Sequence, residues 1–175
     1  MDKVLVAYAT RMGSTREIAS VIGQVLTDAG LEVDVQPCSR AQDANGYSAV
    51  IIGSALYLGR WDKTATGYLR RQAWALSELP TWLFQTGPCG DGDITAQVKT
   101  PRSIKKLVDQ IGLESPRTFG GKLDRTRATG PLSRWMATGE FGGDFRDWSQ
   151  IRSWATSIAD QLSSNAEAAA SSAPE

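Results

Sequence analysis

Two uninterrupted apolar runs, at residues 4–8 and 49–53, constrain the fold of this chain more than any other feature. Neither run contains a charged side chain, which is typical of strands that are buried on both faces of a sheet. Such strands occur almost only in parallel sheets that helices cover on both sides. Apolar residues at helical spacing follow the first run, over residues 18–29. The sequence therefore predicts an α/β fold.

Three further segments have strand character. Residues 31–35 alternate apolar and polar side chains, as in a half-exposed edge strand, and residues 82–84 form a short apolar run. A fifth strand at residues 117–121 is required by the topology, although its two glycines are poor strand formers. Five strands that alternate with helices predict a doubly wound parallel sheet of order 2-1-3-4-5, with helices on both faces.

Caps and apolar stripes predict the helices. Asp62 caps one helix, which carries the apolar residues Ala65, Leu69, Ala73 and Leu76. Another begins near residue 100, and a last helix is capped by Asp147 and ends at Leu162.

The length of 175 residues fits one domain. We expect this domain to cover residues 1–162, with an insertion of no clear period at about residues 122–143. The Ala/Ser-rich tail at residues 163–175 is expected to be disordered.

Composition excludes several classes of function. The chain has no histidine, so hydrolases built on Ser-His-Asp or Cys-His and sites with His-ligated zinc or haem are excluded. The 19 Lys and Arg residues balance 19 Asp and Glu residues, which argues against a dedicated nucleic-acid binder. The cysteines, Cys38 and Cys89, have no metal-binding spacing, so no metal site is predicted.

The N-terminal apolar segment is too short for the apolar region of a secretory signal, and no apolar run approaches the roughly 18 residues of a membrane span. With two distant cysteines, these features predict a cytoplasmic protein. The short amphipathic turn at residues 131–137 allows at most a peripheral contact with a membrane.

In a doubly wound sheet, ligands bind beyond the carboxyl ends of the strands, at the point where the strand order reverses. The first loop there is Thr10-Arg11-Met12-Gly13-Ser14-Thr15, which places hydroxyls and a glycine at a helix N-terminus. Such a loop is a phosphate cradle, since helix N-termini offer free N–H groups and a positive dipole end. Neither a Walker loop nor G-x-G-x-x-G follows the first strand.

One alternative remains for this loop. Ser14 and Glu17 have the spacing of a capping box, so Ser14 could do no more than cap the helix.

The stretch from Thr10 to Thr15 resembles the FMN phosphate loop of flavodoxins, T-x-x-G-x-T. Within that superfamily the sequence is most similar to the menaquinone-dependent protoporphyrinogen IX dehydrogenases. Three stretches carry this second likeness, at residues 9–19, 50–59 and 138–148.

The resemblance implies FMN as the cofactor and assigns three loops to it. The phosphate would be held by Thr10, Arg11, Met12, Gly13, Ser14 and Thr15. The isoalloxazine ring would be flanked by Ser54, Ala55, Leu56, Tyr57, Leu58 and Gly59. The polar edge of the ring would be bound by Thr86, Gly87, Pro88, Cys89, Gly90 and Asp91.

Individual residues of these loops have alternative interpretations. Tyr57 or Trp61 could stack on the ring, or each could pack on the following helix. Cys89 could have a redox or substrate role, or it could simply fill space beside Gly90. No catalytic side chain is predicted, because in a flavoprotein the cofactor carries the reaction.

The resulting functional prediction is an FMN-dependent oxidoreductase that oxidises protoporphyrinogen IX or a related small molecule, with a quinone as acceptor. The alternatives are an electron carrier that serves a partner protein and a flavin-free binding module on the same fold. Zero net charge and the absence of an aromatic residue at positions 87–92 favour the enzyme over the carrier.

Overall fold

The computed structural model of the protein describes residues 3–87, 98–123 and 143–171. Its strands are β1 (Lys3–Ala9), β2 (Glu32–Pro37), β3 (Ala49–Tyr57), β4 (Arg60–Trp61), β5 (Thr81–Thr86), β6 (Arg117–Phe119), β7 (Lys122–Leu123) and β8 (Gly143–Asp144). Its helices are α1 (Ser14–Asp28), α2 (Lys63–Arg71), α3 (Ala73–Glu78), α4 (Arg102–Gln110) and α5 (Trp148–Ser171), with a 3-10 turn at Ala44–Gly46.

Five parallel strands form the main sheet in the order β2-β1-β3-β5-β6. This is the predicted order 2-1-3-4-5 of the parallel strands, and it places β1 and β3 side by side at the centre. Two short antiparallel pairs were not predicted. Strand β4 folds back on the end of β3, and β7 pairs with β8 at the base of the insertion.

Side chains alternate across the sheet, so the two faces of β1 and β3 bury different residues. One face packs against helices α2, α3 and α4, and its buried residues include Leu5, Ile52, Leu69, Leu76, Ile104 and Val108. The other face packs against α1 and α5, and its buried residues include Val6, Ile22, Ile51, Phe84, Ile151 and Ile158. This three-layer arrangement confirms the predicted doubly wound fold.

Gly53 sits at a tight point in the second of these cores. A Cβ atom at this position would lie 2.0 Å from Cζ of Phe84. The Phe84 ring itself packs with Phe119 and Trp154, at centroid distances of 6.0 and 6.1 Å. Only a residue without a side chain fits beside this aromatic group.

Two helix predictions are wrong in extent. The helix predicted after Asp62 is divided into α2 and α3 at Gln72, whose side-chain Oε1 accepts a hydrogen bond from the Ala44 backbone N–H (3.1 Å). The last helix begins as predicted, since Asp147 accepts from the Gln150 N–H, but it continues to Ser171. A disordered tail is therefore wrong for residues 163–171, where alanines, the strongest helix formers, extend the helix.

The fifth parallel strand ends at Phe119 rather than residue 121. Gly120 lies directly against the chain that leaves β8, because a Cβ there would be 1.9 Å from the Phe145 carbonyl oxygen. This glycine serves a close approach of two backbones, which strand periodicity does not reveal. In the described part of the chain, no helix combines the length and apolar character needed to cross a membrane.

Candidate functional site

Helix α1 begins at the carboxyl end of β1, and no side chain among the described residues caps its N-terminus. Gly13 occupies the N-cap position in the left-handed region (φ 94°), and the first intrahelical bond runs from the Glu17 N–H to the Gly13 carbonyl (3.1 Å). The preceding N–H groups of the first turn have no intrahelical acceptor. The capping-box alternative is therefore wrong, and this helix end is suited to an anion.

Two hydroxyls beside this helix end are already oriented. Oγ1 of Thr10 accepts from the Gly13 N–H (2.9 Å), and Oγ of Ser14 accepts from the Lys122 N–H (3.2 Å). A hydroxyl that accepts in this way keeps its own proton for another acceptor. The loop thus offers two hydroxyl donors next to backbone N–H groups that have no acceptor within the helix, and this donor set fits a phosphate.

Thr15 has a different environment from the other hydroxyl residues of the loop. Its side chain is fully buried, and its Oγ1 lies 2.7 Å from Oγ1 of Thr86 at the end of β5. This hydrogen bond joins the first loop to the third.

Arg11 joins the first loop to the second. Its guanidinium carbon lies 4.5 Å from the centre of the Tyr57 ring, and its Nε lies 3.6 Å from Oδ2 of Asp62. Partial burial raises the pKa of Asp62, but hydrogen bonds from Thr64 and the charge of Arg11 outweigh it, so the pKa is lowered overall. Asp62 also caps α2 by accepting from the Thr64 N–H (2.9 Å).

The predicted ring loop is a β-hairpin formed by β3 and β4. Leu56 pairs with Trp61 and Tyr57 with Arg60, so Leu58 and Gly59 form the turn. Both turn residues have positive φ, 49° and 68°, as a two-residue hairpin with the right-handed strand twist requires. Leu58 is 67% exposed. The hairpin therefore presents an apolar side chain at its tip and the half-buried Tyr57 beside it.

Two residues near this hairpin point inward. Ser54 is fully buried, and its Oγ accepts from the Asp62 N–H (2.9 Å). Trp61 is 6% exposed, and its Nε1 donates to Oε1 of Gln85 (3.0 Å). Trp61 is thus part of the core with Ala65 of α2, and its alternative interpretation, packing on the following helix, is the correct one. Of these two aromatic residues, Tyr57 is the one that is only half-buried.

Gln85 was missed by the sequence analysis. It is fully buried in β5, and besides accepting from Trp61 it donates through Nε2 to Oγ1 of Thr118 (3.0 Å). The available signal was an amide side chain directly after the apolar residues 82–84. A buried side-chain amide is typically hydrogen-bonded through both its oxygen and its nitrogen.

The third loop is described only at its start. Thr86 is buried, and Gly87 has φ 117° and donates its N–H to the Phe119 carbonyl (3.0 Å). A Cβ on Gly87 would lie 3.5 Å from Cβ of Leu56, so the second and third loops are in close contact. Pro88, Cys89, Gly90 and Asp91 lie outside the described residues.

A second residue that was missed is Arg146, which follows β8. Its side chain is 3% exposed. It donates to both oxygens of Asp144 and, through Nη1, to Oε2 of Glu17 (2.6 Å), and it stacks on Trp148 with 4.4 Å to the ring centre. The hydrogen bonds from Arg146 lower the pKa of Asp144 despite partial burial, and those to Asp144 raise the pKa of Arg146. Residues 17 and 146 are too far apart in sequence for any local pattern to pair them.

The structure therefore brings together the described parts of all three predicted loops. The Thr15–Thr86 hydrogen bond, the Arg11 contacts with Tyr57 and Asp62, and the packing of Gly87 on Leu56 join them. They meet beyond the carboxyl ends of β1 and β3, where the strand order reverses.

Comparisons with known proteins identify the family of this fold. The model of the flavodoxin domain family matches residues 5–130. Protoporphyrinogen IX dehydrogenase [quinone] of Escherichia coli strain K12 is 30% identical over 84 residues, which are 47% of this chain and 46% of that protein. The protein of the same name from Escherichia coli O157:H7 gives the same values. The chain thus spans about half the length of the curated relatives it matches.

Solved structures share the fold along nearly the whole chain. A flavodoxin from the domain Archaea superposes with a TM-score of 0.63 at 14% identity, covering 92% of this chain and 99% of that one. Oxidised flavodoxin 2 from Bacillus cereus superposes with a TM-score of 0.59 at 17% identity, covering 91% and 99%. These identities establish a shared fold, and the family match covers most of the sequence. The chain belongs to the flavodoxin domain family.

Proposed function

We propose that residues 1–162 form an FMN-binding domain and that the protein is a flavin oxidoreductase. The observation that carries this proposal is the N-terminus of α1, which no described side chain caps and which is flanked by two hydroxyls that keep their protons. FMN, when bound, supplies hydride and electron transfer, while the protein binds and orients it.

The residues of this chain divide the work of binding. The backbone N–H groups at the start of α1 and the hydroxyls of Thr10 and Ser14 hold the phosphate. The hairpin residues Tyr57 and Leu58 flank the ring, and the loop that begins at Thr86 binds its edge. Ser54 acts indirectly, since its buried hydroxyl positions the start of α2 behind the hairpin.

The proposed reaction is oxidation of protoporphyrinogen IX or a related apolar molecule, with a quinone as acceptor. It is supported by the 84-residue similarity to the Escherichia coli dehydrogenases and by the exposed Leu58 at the tip of the hairpin. Zero net charge weakens the case for electrostatic steering toward a charged redox partner. A cytoplasmic location is part of the proposal and is supported by Cys38, which is a buried free thiol.

The second candidate is an electron carrier for a partner protein. It is supported by superposition on flavodoxins along about nine-tenths of this chain. Steady-state turnover separates the two candidates, because a carrier needs a protein partner whereas an oxidoreductase reduces a small acceptor by itself.

The binding test compares FMN affinity in S14A with that in S20A. Ser20 is an exposed hydroxyl on the same helix, bonded to the Arg16 carbonyl, and so serves as the matched control. We expect S14A to weaken FMN binding roughly tenfold, as for loss of one hydrogen bond to a charged group, and S20A to have no effect. A wild-type protein that is purified without flavin and does not bind added FMN would refute the proposal.

The activity test is anaerobic turnover of protoporphyrinogen IX with menadione as acceptor. Porphyrin fluorescence should rise with the FMN-loaded protein and stay at background with the flavin-free control. Background fluorescence in both samples, from a protein that does bind FMN, would remove this substrate and leave the flavin proposal standing.

A further inference from the structure

The base of the insertion touches the proposed phosphate site at two points. The Lys122 N–H of β7 donates to Oγ of Ser14 (3.2 Å), and Arg146, just after β8, donates to Oε2 of Glu17 (2.6 Å). Both acceptors belong to the first turn of α1. The antiparallel pair β7–β8 therefore lies directly beside this site.

Glu17 creates an electrostatic problem for such a site. A carboxylate in the first turn stabilises the helix through the dipole. The same negative charge, however, repels an anion that binds at that N-terminus, and the repulsion doubles for a dianion. A helix end that carries a glutamate therefore suits a phosphate only if a nearby cation compensates the carboxylate.

Arg146 is placed to provide that compensation. Its side chain is 3% exposed, so solvent and salt screen its charge far less than that of a surface residue. Two hydrogen bonds to Asp144 and the stack on Trp148 hold the guanidinium in place, which leaves Nη1 for Glu17. Lys122 lies opposite Asp144 in the β7–β8 pair.

On the basis of the proposed FMN site, we propose that Arg146 neutralises Glu17 and thereby makes the N-terminus of α1 selective for a phosphate dianion over an uncharged ligand. Arg146 is a positioning residue that acts through Glu17, and it is not itself a phosphate ligand. Its effect is specific to the charge of the ligand, because a purely structural role would change the binding of phosphorylated and unphosphorylated flavin alike.

The test measures the dissociation constants of FMN and of riboflavin, which lacks the phosphate, by titration of flavin fluorescence. We expect R146M to lower the FMN affinity about tenfold while riboflavin affinity changes by less than about threefold. R146K keeps the cation and should retain most of the ratio of FMN affinity to riboflavin affinity. The double variant E17Q/R146M removes both charges and should restore it. R152M, on the exposed face of α5, is the matched control and should leave the ratio unchanged.

The outcomes distinguish this inference from the proposed function. A wild-type protein that binds neither flavin overturns the proposed function and this inference with it. Tight FMN binding by the wild type, with R146M lowering both affinities equally or leaving the ratio within twofold, overturns this inference alone. If R146M does not fold, E17Q decides, because it leaves Arg146 bonded to Asp144. The ratio should then rise in E17Q, and an unchanged ratio overturns the inference.

Discussion

Replacing the buried Gln85 by leucine should destabilise the protein through one orphaned hydrogen-bond donor. Gln85 is fully buried and accepts from the Trp61 Nε1–H at 3.0 Å. Leucine has a similar volume but no acceptor, so Q85L leaves that indole N–H unpaired in the core. An unpaired buried donor costs about 1–3 kcal/mol. Thr118 also loses a partner, but it is half-buried and water can replace the amide.

Thermal and denaturant unfolding measure this loss. For a domain of this size each kcal/mol corresponds to roughly 2–4 °C in Tm, so we expect Q85L to lower the Tm by about 2–12 °C. The variant W61F removes the donor itself. In the double variant Q85L/W61F neither partner of the hydrogen bond remains. Its loss of stability should therefore be smaller than the sum of the losses in the two single variants.

The coupling between the two substitutions decides whether this reasoning holds. Contacting residues in one hydrogen-bond network show coupling above about 0.5 kcal/mol, whereas independent sites add within that margin. Additive effects of Q85L and W61F, or a Q85L protein that unfolds at the same midpoint as the wild type, would show that the Trp61–Gln85 hydrogen bond contributes nothing. The variant T118S provides the control, with an expected loss smaller than that of Q85L, because its hydroxyl can still accept from the Gln85 Nε2–H.

Three further predictions rest on single positions. G53A should lower the free energy of unfolding by about 1–3 kcal/mol or more, because the added methyl overlaps the Phe84 ring; a loss below about 0.5 kcal/mol in a urea titration would contradict this. L58N should raise the free energy of unfolding by about 1 kcal/mol, since asparagine tolerates the left-handed conformation (φ 49°) better than leucine does. An unchanged urea midpoint would argue against strain at this turn. D144N tests the lowered pKa of Asp144, which Arg146 causes. A carboxyl whose pKa is lower in the folded than in the unfolded protein stabilises the fold at pH values above its unfolded pKa, which is near 4. This stabilisation disappears as the pH falls through the folded pKa. The stability difference between wild type and D144N should therefore narrow below about pH 4, and a constant difference in unfolding titrations down to about pH 2.5 would count against the linkage.

Local patterns in the chain were enough for the fold and for the first loop. The apolar runs at residues 4–8 and 49–53 identified the two central strands, because a strand buried on both faces needs apolar residues at every position. The loop from Thr10 to Thr15 could be read as a phosphate site for a similar reason, since all its hydroxyls, its glycine and its helix N-terminus are neighbours in sequence. The alternation of five strands with helices also suggested the order of the parallel strands.

Periodicity could not determine where polar side chains find their partners. The sequence did not decide whether Trp61 contacts a ligand or packs in the core. It also did not indicate that Trp61 pairs with Gln85, which lies 24 residues further along. The same limit applies to Glu17. Its spacing from Ser14 indicated a capping box, whereas its bond to Arg146 spans 129 residues.

Local sequence patterns predicted the sheet, the presence of its helices and the loop that we propose to bind a phosphate, because burial on one face imposes a repeat that a short window of residues displays. The packing of the layers, by contrast, shows that Ser54 and Trp61 point inward and that Arg146 lies against the start of α1. A buried polar or charged group must be paired wherever the fold brings a partner within hydrogen-bond distance. That distance depends on how the layers pack and not on the spacing of residues along the chain.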